Sequence, residues 1–115
     1  MYVEVTAAGV RVGAADDCTS LDVRAATDSR PSLDEALRGS GLGAWDGGPE
    51  AGLNVAELRR RAAAQDVSPD WAQRWAAMIA YARRQGWLSP DGTSVRAHVI
   101  DPPGRPAGLA GGARL

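Results

Sequence analysis

Residues 68–87, S-P-D-W-A-Q-R-W-A-A-M-I-A-Y-A-R-R-Q-G-W, are the stretch on which the fold turns. Ser68 suits the N-cap, Pro69 tolerates a missing N–H, and Asp70 sets negative charge in the positive first turn, so a helix is predicted to begin there. Trp71, Trp75, Met78, Ile79 and Ala82 then recur at helical spacing and form one apolar stripe. Two indoles and two long aliphatics on one side predict a core centred on this helix. Gly86 is placed to end it, with Arg83 and Arg84 in the last turn facing the negative end of the dipole. The opposite side reads Gln73, Ala77, Ala80, Arg84, which is suited to being covered by protein.

Working outward, Asn54 and Glu57 repeat a capping pattern and predict a second helix from Val55 to about Ala64, with Val55, Leu58 and Ala62 inward and Arg59, Arg60 and Arg61 fanned over its other sides. Beyond Gly86, Trp87-Leu88 enters a strand, Ser89-Pro90-Asp91-Gly92 makes a turn, and Thr93 to Ile100 returns. Val95, Ala97 and Val99 share one face of that return; Ser94, Arg96, His98 and Ile100 share the other. Nearer the start, Tyr2 to Ala14 alternates as a hairpin and Leu21 to Arg24 resumes the alternation, which predicts a three-stranded antiparallel meander. Ser32 and Glu35 fit a capping box, so a short helix is expected from Leu33 to about Arg38, stopped by Gly39-Ser40-Gly41-Leu42-Gly43. That glycine run follows a helix, whereas a dinucleotide fingerprint follows a strand and opens a helix. Residues 43–52 read as irregular, with Trp45 either capping the core from a loop or standing exposed to stack on a ligand or partner. The whole is one α+β domain over residues 1–101, with a flexible Pro/Gly/Ala-rich tail over 102–115.

All 13 basic residues are arginine. Residues 1–53 hold four arginines against nine acids and residues 54–115 nine against five, an asymmetry that marks either a nucleic-acid face or two halves that complement each other within the fold. One cysteine and one histidine cannot build a Cys/His zinc site or an internal disulfide within the chain. The longest uncharged run is eight residues, against roughly 20 needed to span a bilayer. A cytoplasmic protein without membrane association, metal or cofactor is the expectation.

Taken together, L-N-V-A-E-L-R-R-R-A-A-A-Q-D-V-S, the long helix from S-P-D-W to R-R-Q-G-W, and L-S-P-D-G-T-S-V-R-A-H-V resemble, in element order, the two helices and wing of a winged helix-turn-helix. The resemblance covers residues 53–100. It implies that the second helix faces the DNA major groove through Gln73, Arg74 and Ala77, and that Arg96 lies on the wing, with Arg59, Arg60, Arg61 and Arg84 adding charge.

Catalytic candidates are few. His98 is the sole imidazole and needs an orienting carboxylate, for which Asp91 and Asp101 are nearest in sequence. Cys18 follows two acids, which raise a thiol's pKa and oppose its use as a nucleophile in a Cys18/His98 dyad. The acids between Asp16 and Glu35 match no calcium loop. The leading expectation is therefore a non-catalytic binding or regulatory module acting through protein contacts at Ala77, Ala80, Tyr81 and Arg84, as a homodimer or as part of a larger assembly. The alternatives are the winged-helix nucleic-acid binder, and a small enzyme or ligand-binding protein with a pocket near Trp45, Tyr81 and His98.

Overall fold

The computed structural model describes residues 1–101; the tail expected over 102–115 lies outside the described residues. The chain is a mixed α+β domain. Three helices pack on one face of a six-stranded sheet of order β2-β1-β3-β6-β5-β4. The strands are β1 (Tyr2–Thr6), β2 (Gly9–Gly13), β3 (Asp22–Ala25), β4 (Gly43–Ala44), β5 (Glu50–Asn54) and β6 (Ser94–Ile100), and the helices are α1 (Leu33–Ser40), α2 (Val55–Ala63) and α3 (Trp71–Arg84).

Strands β1 and β2 form the expected antiparallel hairpin, but β3 runs parallel to β1, with Val3 opposite Val23, so the predicted meander is corrected. The connection from β2 passes back along the domain and lets β3 enter in the same direction as β1. Strand β6 then lies between β3, to which it is parallel, and β5, to which it is antiparallel. The segment that resembles a wing is thus an interior strand, joined to Leu88 by one isolated bridge at Val95.

Residues 43–52, read as irregular, supply β4 and much of β5. Glu-Ala-Gly-Leu-Asn has little intrinsic strand preference, and pairing with β6 decides its conformation. At Gly43 a Cβ would collide with the carbonyl of Gly52, so only glycine permits this close crossing of β4 on β5.

The registers place Val3, Val5, Val12, Val23, Ala25, Ala51, Leu53, Val95 and Ala97 on one sheet face, all buried and continuous with Leu37, Leu58, Ala62, Trp71, Trp75, Met78 and Ala82 of the helices. The α3 stripe is as expected, with Ile79 at its half-buried margin. Trp71 and Trp75 stack at 5.4 Å, and the Trp71 indole N–H donates to the carbonyl of Ala15 at 2.7 Å. That bond satisfies the one polar atom of the Trp71 side chain.

The helix ends are settled by particular partners. Asn54 accepts the Glu57 N–H at 3.0 Å and caps α2. Ser32 makes no cap bond, because α1 continues from a 3-10 helix, Thr27–Ser32, and the Ser32 hydroxyl turns back to the carbonyl of Ser29. Ser68 does not cap α3 either: the regular helix starts at Trp71, and Ser68 is bound to Asp16. Gly86, at φ +78°, closes α3 with the Trp87 N–H on the carbonyl of Ala82. The 89–92 turn forms as predicted, with the Gly92 N–H on the carbonyl of Ser89.

Candidate functional site

Because α3 buries its tryptophan stripe, its other side is left outside the core. Gln73, Ala77, Ala80 and Arg84 are exposed, Tyr81 is half-buried, and nothing in the described fold covers them. Beside them is a cleft of about 370 Å³, walled by Ala77, Met78, Tyr81 and Arg84 on the helix and by Cys18 and Thr19 on the β2–β3 connection. Tyr81 is held edge-on to Trp87 at 5.9 Å and lies under the Arg84 guanidinium at 5.5 Å. The residues expected to meet a partner are therefore together on one surface.

The connection that forms the far wall is fixed by charge. The Asp16 carboxylate accepts the Ser68 hydroxyl at 2.6 Å, the Ser68 N–H at 3.0 Å and Arg74 Nη2 at 2.6 Å. These bonds, the Ser68 hydroxyl first, hold its pKa down to about 2. Arg74 also reaches Asp70 on its own helix at 3.1 Å. Burial pushes the Cys18 thiol up, with Asp16 and Asp17 acting in the same direction and Arg74 opposing, so the direction expected from the sequence holds with burial as its main cause. Cys18 lies against the helical side and His98 on the opposite sheet face; the fold does not bring them together.

Arginine partners bear on the nucleic-acid set. Glu57 takes both Arg60, at 2.5 Å, and Arg61, at 2.8 Å; Asp16 and Asp70 take Arg74; Glu50 stands 3.7 Å from Arg96. Arg59 lies over the Trp71 ring at 5.9 Å. Of the six arginines expected at a DNA surface, Arg59 and Arg84 are the two without an ion pair among the described residues.

The uncovered sheet face carries a row that local reading missed. Tyr2, Asp22, His98 and Glu50 stand opposite one another across β1, β3, β6 and β5. The carboxylates flanking His98 are thus Asp22 and Glu50. Asp91 is instead engaged by Ser89 and Thr93, and Asp101 by Arg30. Asp22 is 4% exposed and bonded by Arg24 at 2.9 Å, and Arg24 in turn covers the Tyr2 ring at 3.8 Å. His98 itself is exposed on an open surface.

Trp45 turns its indole N–H to the carbonyl of Gly48 at 2.8 Å and packs half-buried on the core, and its backbone N–H is accepted by Asp34 at 2.7 Å. It lines a separate cleft of about 470 Å³ with Arg38, Glu50 and Arg96. Trp45 and Tyr81 line two different clefts, and His98 lines neither of them. Among the described residues no helix is long and apolar enough to cross a membrane. No protein-family model matches the chain, and no curated protein or solved structure matches it.

Proposed function

We propose that this protein is a non-catalytic binding module that works through protein contacts made by the outer side of α3, as a homodimer or as an accessory within a larger assembly. The observation that carries the reading is the uncovered surface of Ala77, Ala80, Tyr81 and Arg84 beside an apolar-walled cleft. Small side chains let another backbone come close, a half-buried tyrosine supplies an anchor with little rotamer freedom to lose, and the arginine supplies a rim charge. The cleft wall is fastened to α3 through Asp16, Ser68 and Arg74, so the surface is formed before any partner arrives.

Light scattering over a concentration series, with and without random duplex DNA, tests this. A mass above that of one chain, unchanged by duplex and reduced by Ala77→Glu, is the expected result. A monomer throughout removes the reading's main support, and a gain of mass on duplex at low salt alone transfers the weight to Arg59 and Arg84 as nucleic-acid contacts.

A further inference from the structure

We propose that the partner of the α3 surface is a second copy of this chain, packed with its α3 antiparallel to the first and with Ala77 on the two-fold axis. This rests on the protein-contact reading and adds to it the partner and the register. A two-fold interface must be self-complementary, because the same patch serves both sides.

Ala77 and Arg84 are seven apart on α3 and Asp70, its N-cap residue, is seven before Ala77, so the three follow one line from the cap to the last turn. The line is acidic at its start, small in the middle and basic at its end. Asp70 has a side chain 60% exposed, and its pairing with Arg74 engages one oxygen, Oδ1. Arg84 is exposed and has no ion pair among the described residues. In between, Ala77 and Ala80 are exposed and keep the centre of the face small, with Gln73 and Tyr81 flanking it, so the axes can approach to about 10 Å. Antiparallel packing about Ala77 sets Arg84 against the partner's Asp70, twice per dimer. The same register lays Tyr81 against the partner's Gln73. Parallel packing would instead put Arg84 beside the partner's Arg84, which like-charge repulsion opposes.

Charge exchange tests the register. Arg84→Asp alone and Asp70→Arg alone should each raise the dimer dissociation constant by about tenfold or more, since each sets like charges opposite one another. The double variant, D70R with R84D, should recover the dimer. An equimolar mixture of the two single variants should form a heterodimer, because one then carries two arginines on the line and the other two aspartates. Recovery in the mixture also shows that neither single variant failed by unfolding; if Arg84→Asp does not fold, Arg84→Gln replaces it and should weaken the dimer less. A dimer indifferent to all four combinations overturns this register while leaving protein contact standing. Failure of the double variant and of the mixture to reassociate overturns it too, whereas a wild-type chain that stays monomeric overturns the dimer itself and leaves contact with a different protein as what remains of the protein-contact reading.

Discussion

Ser68 gives both its N–H and its hydroxyl to the carboxylate of Asp16, fifty-two positions earlier in the chain. The serine that local reading assigns to helix capping instead fastens the entry of α3 to the β2–β3 connection. With Arg74 as third donor, Asp16 is the point through which the cleft wall and the helix move as one. Asp16→Ala should therefore lower the denaturation midpoint and speed amide exchange at residues 14–20 and in the first turn of α3, while exchange in α1 stays as it was. Uniform acceleration across the chain would show that the linkage has no local role.

Acid should destabilise the fold over a defined window. Asp16, Glu57 and Asp91 are each held at about 2, below ordinary values of 3.8, 4.5 and 3.8, by hydrogen bonds from Ser68, from Arg60 and Arg61, and from Ser89 and Thr93 respectively. A depressed folded-state value means that the unfolded chain binds protons more readily. The stabilisation is thus complete above the ordinary range and is lost as pH falls toward 2. Urea midpoints measured between pH 6 and pH 2.5 should fall mostly below pH 4.5, and Asp16→Asn should flatten that fall.

The two stacked indoles of α3 should dominate its energetics. Trp71→Ala is expected to cost about 3–5 kcal/mol through lost burial and the cavity left behind. Trp71→Phe keeps a ring but orphans the Ala15 carbonyl, and should cost about 1–3 kcal/mol. Equilibrium denaturation distinguishes them, and no loss in Trp71→Phe would mean that the indole hydrogen bond contributes nothing.

Caps that look alike in sequence should respond differently. Asn54→Ala removes a formed cap and should cost about 0.5–2 kcal/mol. Ser32→Ala removes a hydroxyl that caps nothing and should leave the midpoint nearly unchanged. Chemical denaturation of the two variants is sufficient, and a larger loss at Ser32 would contradict the observed geometry.

Two glycines separate strain from collision. Gly86→Ala places a side chain at φ +78° in open space and should cost about 1–2 kcal/mol from conformation alone. Gly43→Ala drives a Cβ into the Gly52 carbonyl, so β4 must leave β5. Its loss should be larger and should expose the N–H groups of Gly52 and Asn54, which face the β4 side, to amide exchange.

The legibility of this chain follows the range of its interactions. The α3 stripe, the Asn54 cap, the 89–92 turn and the β1–β2 hairpin depend on residues a few positions apart, and all were readable. The direction of β3, the existence of β5 and the displacement of Ser68 from its cap depend on partners dozens of positions away. So does the row that flanks His98 with Asp22 and Glu50: three strands with 22, 50 and 98 in their numbers meet only through the sheet register. Ala77, Ala80, Tyr81 and Arg84 were readable as a surface because a helix whose core stripe is strong leaves its other side defined by subtraction. The cleft beside them was not, since Cys18 and Thr19 reach it through the Asp16 linkage.

Strand β6 joins β3 to β5, and no other strand does. Before residues 94–100 leave the ribosome, the nascent chain can hold at most two separate pieces of sheet, β2-β1-β3 and β5-β4, each with a raw edge where the other belongs. A chain stalled there would present the inner edges of β3 and β5 to any neighbour able to pair with them. Of the described strands the one synthesised last is the one that makes the two pieces a single sheet, so the order of synthesis and the order of assembly coincide only at the end.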